Sequence, residues 1–362
     1  MRTPAPSGYW PTPKATRSAC APGRTGNAPP PRPPPSTEPP TPVCHDAGVP
    51  LTIEDVDAAA VRIAGRTRPL TVLPTDRPDR WFAAEFLQHT GTFKARGAVN
   101  LLAAHQEAGG LPAAGVAIAS GGNAGLACAW SAAEIGVPAA VFLPATAPPV
   151  KVAKLHTYGA HVVQVGDRYA QAAAAAREYI RATGALASHA YDDPLVAAGA
   201  GTLMQEILAR TPGGVDTVVV SVGGGGLLAG LATVAAGHGV RVVAVEPVGS
   251  QAFAAALAAG EPVEVDVQSV AADALGATTA TRLALDAAAS GSVTSVLVDD
   301  AAIVAARRRL WEDHRLVVEH AAATAQAALD SGAYRPQPGE RIVTVLCGAN
   351  TDPSDLVGRP SS

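Results

Sequence analysis

Residues 217–236, TVVVSVGGGGLLAGLATVAA, contain the pattern on which the fold assignment rests. The β-branched run 217–221 is apolar on both faces, which predicts a strand buried within a parallel sheet. Four consecutive glycines follow, and the leucine- and alanine-rich segment 227–236 then has the composition and length of a helix. A strand, a glycine loop and a helix in this order predict one unit of an α/β fold.

The same alternation continues on both sides of this unit. Further strands are predicted at 115–119, 139–143, 161–165, 241–245 and 342–347, and helices at 126–135, 151–158, 168–183 and 250–259. Such strands, separated by helices, indicate parallel βαβ units with helices covering the sheet. We therefore predict an α/β fold with two open, twisted, mostly parallel sheets. Residues 51–112 and 191–358 would form a large domain, and residues 113–190 a small domain inserted in it.

The first 48 residues differ in kind from the rest. Fifteen of the first fifty residues are proline, and no hydrophobic periodicity is visible. Such a segment cannot bury enough apolar surface to offset its loss of conformational entropy, so we predict a disordered proline-rich tail. It also lacks the continuous apolar core of a secretory signal.

Charge and cysteine content argue against several functional classes. The 362-residue chain carries a net charge of −4, which does not suggest binding to nucleic acid or to a membrane surface. No run of about 20 uncharged apolar residues is present, so no membrane span is predicted. The cysteines have no metal-binding spacing, and reduced thiols in a cytoplasmic protein are the simplest interpretation. They are Cys20, Cys44, Cys128 and Cys347.

The glycine loop at 223–226 suggests a chemical role because of its position after a strand. Ligands of open α/β sheets bind at the carboxyl ends of the strands. Backbone N–H groups exposed by glycines, together with the positive end of a helix dipole, form an anion site suited to phosphate. A merely tight turn would need fewer glycines, so we favour phosphate binding. The spacing of a nucleoside-triphosphate or dinucleotide motif is absent.

A second loop, Ser120-Gly121-Gly122-Asn123-Ala124, also joins a predicted strand to a predicted helix. Its hydroxyl, amide and helix-start N–H groups could bind a carboxylate. Serine and asparagine are also ordinary N-cap residues, so this loop alone leaves both interpretations open.

Two single residues complete the set of candidates. Lys94 lies in TGTFKARGA, residues 90–98, in a chain with few lysines. Most lysines are solvated surface residues, but a desolvated lysine near cationic or phosphate groups can become the neutral amine that forms Schiff bases. Cys347 precedes a glycine at the end of the last predicted strand, where it could reach a ligand. The alternative is a small buried core residue.

Together, these segments resemble the fold-type II, pyridoxal-phosphate-dependent enzymes, whose fold is similar to that of tryptophan synthase β. The branch is that of the serine/threonine dehydratases, or threonine ammonia-lyases. Residues 85–98, EFLQHTGTFKARGA, are similar to the family's Schiff-base segment. YDDP at 191–194 and GAGT at 199–202 are similar to its FDDP and GQGT segments. The resemblance covers residues 51–356.

The resemblance implies a role for each candidate. Lys94 would be the catalytic residue that binds pyridoxal 5′-phosphate as a Schiff base. Asn123 would contact the ring's 3′ oxygen, Cys347 its pyridine nitrogen, and the glycine loop its phosphate. The implied cofactor-binding residues are Phe93, Lys94, Asn123, Gly223, Gly224, Gly225, Gly226, Leu227 and Cys347. The implied substrate-binding residues are Ser120, Gly121, Gly122, Asn123 and Ala124.

Cys347 favours one reaction among those of the family. An aspartate would protonate the pyridine ring and strengthen it as an electron sink, whereas a thiol is only a weak donor and acceptor. A weaker sink favours loss of a β-leaving group. The resemblance therefore implies a dehydratase that converts a β-hydroxy amino acid such as L-serine or L-threonine to a 2-oxo acid and ammonia. A cytoplasmic homodimer is the family-level expectation.

Alternative functions stay open. A β-replacement enzyme or a threonine synthase on the same fold would use the same loops. A non-catalytic small-molecule binding protein is a third alternative, although such a protein has no need of Lys94. Serine racemases of this fold have a second serine where this chain has Gly121, so racemisation is disfavoured.

The remaining polar residues of interest are those of a possible metal segment, two lysines and one glutamate. No metal site is predicted, because Glu246 and Ser250 match the family's metal segment but Ala252 stands where an acid is expected. Lys151 and Lys154 are predicted to lie on a solvated helix face. Glu319 is predicted either to approach the substrate or ring, or to be structural.

Overall fold

Ten strands and thirteen α-helices lie within residues 50–357, the part of the chain that the computed structural model describes. The predicted tail at 1–48 lies outside these residues. The strands are β1 (Val72–Pro74), β2 (Arg80–Ala83), β3 (Val116–Ala119), β4 (Ala139–Leu143), β5 (His161–Gln164), β6 (Leu186–Ala187), β7 (Thr217–Ser221), β8 (Arg241–Pro247), β9 (Val293–Val298) and β10 (Ile342–Val345).

The helices separate most of these strands along the chain. They are α1 (Ile53–Ile63), α2 (Lys94–Glu107), α3 (Asn123–Ile135), α4 (Pro149–Thr157), α5 (Tyr169–Thr183), α6 (Pro194–Arg210), α7 (Gly226–Gly237), α8 (Ala252–Ala259), α9 (Ala272–Leu275), α10 (Arg282–Ala288), α11 (Asp300–His314), α12 (His320–Asp330) and α13 (Ser354–Val357). Two short 3-10 helices, Glu85–Leu87 and His89–Gly91, precede α2. Within residues 50–357, none of the helices combines the length and the apolarity needed to span a bilayer.

The strands form two sheets. One has six strands in the order β1-β2-β10-β7-β8-β9, and the other has four in the order β5-β4-β3-β6. Every pairing is parallel except that of β1 with β2. This confirms the predicted α/β class with two mostly parallel sheets. The four-stranded sheet uses residues 116–187, inside the segment predicted as the small domain, whose boundaries stay a prediction.

All strands and helices predicted from the pattern are present, with ends shifted by at most three residues. Four strands, β1, β2, β6 and β9, are not among the predicted ones. The prediction used continuous apolar runs of about five residues, whereas β1, β2 and β6 are shorter and β9 is interrupted by Thr294 and Ser295. β9 lies at a sheet edge with most of its residues partly exposed, and β6 has only two residues.

The fold brings the candidate loops to the strand ends. The loop at 120–124 follows β3, the loop at 223–226 follows β7, and Cys347 follows β10. In a parallel sheet these are the carboxyl ends, where the topology leaves room for a ligand. Strands β7 and β10 are fully buried, so the loops extend from a rigid core.

Candidate active site

One cavity of about 410 Å³ is lined by residues from both sheets. All the sequence-predicted site residues lie on its wall, namely Phe93, Lys94, residues 120–124, residues 223–227 and Cys347. Glu319 lines it as well. Segments far apart in the chain therefore converge on one space, whose chemistry depends on the groups described next.

Lys94 stands at the first position of α2. Its Nζ donates a hydrogen bond to the carbonyl of Ala190 at 3.0 Å and lies 4.6 Å from the centre of the Phe93 ring. Burial lowers the pKa of Lys94 to about 8, although Cys347 and Glu319 act in the opposite direction. A substantial fraction of this amine is thus neutral near pH 8, as a nucleophile or general base requires.

A buried ion pair anchors the turn that carries Lys94. The Nε of Arg96 contacts Glu85 at 2.7 Å, and its Nη1 contacts Glu206 at 2.7 Å. The Arg96 side chain is 1% exposed, so replacing Arg96 would leave the equally buried carboxylate of Glu85 without its partner in the interior. Phe93 also donates its backbone N–H to the carbonyl of Cys347 at 3.1 Å. These contacts fix the start of α2 against α6 and the end of β10.

The loop at 223–226 has the features of an anion site. Among residues 50–357, no acceptor contacts the backbone N–H of any residue from 223 to 228, which includes the first turn of α7. Gly225 has φ +99°, a conformation that side-chain-bearing residues rarely adopt. A Cβ added to Gly224 would lie 2.2 Å from the Tyr191 ring. The loop is therefore closely packed on one side and presents free donors in the cavity.

The loop at 120–124 is a second set of donors, at the start of α3. The N–H of Gly122 contacts the Ser120 hydroxyl at a long 3.4 Å. The N–H groups of Gly121, Asn123 and Ala124 have no acceptor in the described part of the chain. With the helix dipole behind it, this loop can bind a carboxylate.

Asn123 connects this loop to Glu319. Its Nδ2 lies 3.0 and 3.1 Å from the two carboxylate oxygens of Glu319. Burial raises the pKa of Glu319 to about 7, while the hydrogen bond from Asn123 and the charge of Lys94 lower it. Glu319 can therefore hold or release a proton near neutral pH within the cavity.

Cys347 is buried beside Ser221, with 3.5 Å between its Sγ and the serine Oγ. Burial raises the pKa of this thiol to about 12, so it is protonated at physiological pH. It therefore presents a neutral sulfur to the cavity and no negative charge.

Several contacts of the site were not predictable from the sequence motifs. They are the Ala190 carbonyl, the Tyr191 ring, the Ser221 hydroxyl and the Asn350 amide. Tyr191 belongs to the YDDP segment and Asn350 lies three residues after Cys347, but their partners are distant in the chain. Only the three-dimensional fold brings them together.

The expectation of a solvated helix face was wrong for Lys154 of α4, whose partner is part-buried, whereas Lys151 lies in an ion pair at the surface with the exposed Asp273. Both are half-buried, and each has a polar partner. Lys151 contacts Asp273 at 2.6 Å, and Lys154 donates to Oδ1 of Asn350 at 2.6 Å.

Glu246 contacts a helix terminus. Its two oxygens accept the backbone N–H groups of Phe253 and Ala254, both at 2.8 Å, at the start of α8. This carboxylate is fully buried, and burial raises its pKa to about 7. In the described residues no group of three or more His, Cys, Asp or Glu could hold a metal ion.

Comparison with known proteins agrees with this geometry. Residues 67–348 match the model of the family described as pyridoxal-phosphate dependent enzyme. The chain is 35% identical over 320 residues to L-threonine dehydratase biosynthetic IlvA of Mycobacterium tuberculosis, covering 84% of this chain and 73% of that protein. It is 38% identical over 274 residues to L-threonine ammonia-lyase of Geobacter sulfurreducens, covering 75% of this chain and 67% of that protein.

A solved structure shares the fold as well. The structure of maize serine racemase superposes with a TM-score of 0.78 and 28% identity, covering 85% of this chain and 96% of that chain. Both a lyase and a racemase are thus among the similar proteins.

Proposed function

The chain belongs to the family of pyridoxal-phosphate-dependent enzymes, and we propose that it is a dehydratase of β-hydroxy amino acids. Its substrate would be L-serine or L-threonine, and its products a 2-oxo acid and ammonia. One observation carries this proposal. A lysine amine with a pKa of about 8 shares one cavity with two separate sets of backbone N–H groups that have no acceptor within residues 50–357. Such a cavity suits one amine-reactive group and two anions, a phosphate and a carboxylate.

The residues present fit pyridoxal 5′-phosphate. Six consecutive N–H groups at 223–228 have no acceptor among the described residues, and the α7 dipole adds to their attraction for an anion. They would hold the phosphate. Lys94 would bind the aldehyde, and Phe93, Asn123 and Cys347 would border the ring.

Lys94 would act as the general base. Bound pyridoxal phosphate supplies an electron sink that makes the Cα–H of the amino acid acidic. The burial that lowers the pKa of Lys94 to about 8 keeps its Nζ able to take that proton near neutral pH. Loss of the β-hydroxyl as water and a later addition of water give the 2-oxo acid and ammonia.

The loop at 120–124 would bind the carboxylate of the amino acid. Ser120 offers a hydroxyl, and three N–H groups lack an acceptor in the described chain. Binding at this point would fix the orientation of Cα relative to Lys94, since both line the same cavity.

The thiol of Cys347 supports elimination over reactions that need a stabilised carbanion. Because its pKa is raised to about 12, it offers neither a negative charge nor an acidic proton to a ring nitrogen. The two relatives described above carry lyase names, L-threonine dehydratase and L-threonine ammonia-lyase.

Racemisation and β-replacement are the competing reactions. The loop at 120–124 has glycine at 121, so Ser120 is its only hydroxyl near the carboxylate site. This disfavours racemisation despite the likeness to maize serine racemase. β-Replacement and threonine synthase activity use the same groups and are separated by assay. The homodimer and cytoplasmic location stay predictions.

The test is a product assay on the full chain loaded with pyridoxal phosphate. L-serine, L-threonine and their D forms are added in turn, and 2-oxo acid is measured together with the visible spectrum. We expect 2-oxo acid from an L substrate, and none from Lys94→Ala. Lys151→Ala, which removes a lysine outside the cavity wall, is the matched control and should retain activity. A cofactor band without 2-oxo acid would reject the dehydratase, and the absence of any band would reject the cofactor roles.

A further inference from the structure

Four polar side chains form a continuous hydrogen-bonded row beside the cavity. Lys154 of α4 donates to Oδ1 of Asn350 at 2.6 Å, and the Nδ2 of Asn350 donates to Oδ1 of Asn123 at 2.8 Å. Asn123 then donates to Glu319 at 3.0 Å. The same Nδ2 of Asn350 also donates to the carbonyl of Thr90 at 2.8 Å, four residues before Lys94.

The orientation of both amides in the row follows from its two ends, since one end is a donor and the other is an acceptor. An ammonium group can only donate, so Asn350 must turn its carbonyl oxygen toward Lys154. Its NH₂ group then faces Thr90 and Asn123. The carbonyl of Asn123 is in turn taken by Asn350, which leaves its NH₂ for the carboxylate of Glu319.

We propose that Lys154 is a positioning residue that fixes the orientation of the Asn123 amide through Asn350. Lys154 does not line the cavity, whereas Asn123 does. Its action on the site is therefore indirect and passes through one bridging side chain. The row itself is independent of the reaction, but its consequence for catalysis rests on the proposed function.

The fixed orientation leaves one N–H of Asn123 for a ligand. The two oxygens of a carboxylate are too close together to take both protons of one NH₂ group in good geometry. The second proton has no acceptor among the described residues. If the amide were inverted, its oxygen would face the Glu319 carboxylate, and its NH₂ group would point toward Asn350 instead. Lys154, together with the Thr90 carbonyl that accepts from the same Asn350 amide, thus maintains a donor at the cavity wall.

Selective isotope labelling can observe the side-chain amides of the row directly, since the chain contains only four asparagines. They are Asn27, Asn100, Asn123 and Asn350. The full chain is prepared with ¹⁵N in the asparagine side-chain amides, with and without pyridoxal phosphate. Each NH₂ signal is assigned from the variant that lacks it. Asn100 is an internal reference, because its amide contacts Arg62 and the Leu195 carbonyl and no member of the row.

We expect Lys154→Met to shift the NH₂ signals of Asn350 and Asn123 and to leave that of Asn100 unchanged. Lys154→Arg, which keeps a donor-only cation, should restore both. Lys151→Met on the same helix should leave the Asn350 signal unchanged, because Lys151 donates to Asp273 and to no member of the row. An unchanged Asn123 signal in Lys154→Met would overturn the proposal.

A second measurement separates positioning from general stability. In the loaded enzyme, Lys154→Met should shift the absorption band of the bound cofactor and lower kcat about tenfold, equivalent to one hydrogen bond to a charged group. KM should change less than about threefold, and Lys154→Arg should recover kcat. An unshifted band with equal losses in Lys154→Met and Lys154→Arg would overturn the positioning role. If the amide signals shift as expected but no amino acid yields 2-oxo acid, the row stands and the proposed function fails.

Discussion

The two donor loops of the cavity are built alike but packed differently. Both follow a parallel strand, both begin a helix, and both leave backbone N–H groups without acceptors in the described chain. The loop at 223–226 is enclosed, since added Cβ atoms on Gly224, Gly225 and Gly226 would lie 2.2, 2.5 and 2.6 Å from their neighbours. In the loop at 120–124, a Cβ on Gly121 would lie 3.7 Å from Leu143, and one on Gly122 would lie 3.9 Å from the Asp273 carbonyl.

Glycine therefore has a different role in each of the two loops. In the enclosed loop, glycine is required by packing and by φ, so the donors have one fixed arrangement. In the open loop, space remains beside the backbone, and a side chain could occupy it. A rigid cradle suits a group that is always the same, such as a cofactor phosphate. An open loop suits the substrate side, where related enzymes can differ in one residue and in reaction.

The largest effect is expected from Gly224→Ala. The new methyl group would meet the Tyr191 ring, and overpacking a rigid site costs about 1–3 kcal/mol. We expect the affinity of the unloaded chain for pyridoxal phosphate to fall by up to about 100-fold. The measurement is a titration followed by cofactor absorbance.

Two variants test whether the Tyr191 contact is the cause. Gly122→Ala is the matched control in the open loop and should change this affinity less than about threefold, because its Cβ meets only an ordinary contact. Tyr191→Ala combined with Gly224→Ala should recover part of the loss. Equal losses in Gly122→Ala and Gly224→Ala would remove the distinction between the loops.

The second largest effect is expected from Glu319, which holds the open loop at 120–124 in place. Asn123 ties it to Glu319, whose pKa is raised to about 7 by burial. A carboxyl that binds its proton more tightly when folded stabilises the fold fully below its unfolded value, near 4.5. That contribution is lost as pH rises through about 7.

Glu319→Gln should remove this pH dependence. Between pH 4.5 and 7.5, the free energy of unfolding of the wild type should fall by about 1–3 kcal/mol more than that of the variant. Denaturant unfolding of the unloaded chain at several pH values measures it. Glu246→Gln is an informative companion, since Glu246 has a similarly raised pKa but caps α8 outside the cavity. Parallel curves for wild type and Glu319→Gln would contradict the expectation.

The loop at 223–226 and the strand and helix beside it could be predicted from the sequence, because they depend on local pattern. The strand β7, its four glycines and α7 are adjacent in the chain, so their composition and periodicity suffice to place them. Lys94 was already a candidate from its segment, and the family resemblance added the cofactor and the role of Lys94 as its Schiff-base residue. The enclosure of the loop by Tyr191 was not predictable, because it depends on how the segment before α6 crosses the end of β7.

The open loop was harder to predict for the same physical reason. Its hydrogen-bond partners are distant in sequence, since Glu319 lies 196 positions and Asn350 lies 227 positions after Asn123. No sequence pattern within a short window can reveal a contact between residues so far apart in the chain. Lys154 was interpreted as a solvated residue because helix periodicity cannot reveal a polar partner from another element.

A moderate effect is expected from Ser120→Ala. This hydroxyl lies at the open loop and would bind the substrate carboxylate, and a hydrogen bond to a charged group is worth about 1.5–3 kcal/mol. We expect KM for the preferred amino acid to rise about tenfold or more, with cofactor affinity unchanged. Steady-state kinetics and cofactor titration on the same preparation check both. A loss of cofactor affinity would assign Ser120 to the cofactor side.

The smallest effect is expected from Gly121→Ser, which places a side chain in the space that distinguishes the open loop. The nearest atoms to the new Cβ belong to the flexible Leu143 side chain at 3.7 Å, an ordinary van der Waals distance. Cofactor affinity and 2-oxo acid formation should therefore stay within about threefold of wild type, in contrast to Gly224→Ala. The variant also adds a second hydroxyl beside Ser120, so formation of D-serine from L-serine can be assayed with it. D-Serine from the variant but not from wild type would show that one open position separates elimination from racemisation, whereas loss of cofactor binding would show that this loop is as constrained as the other.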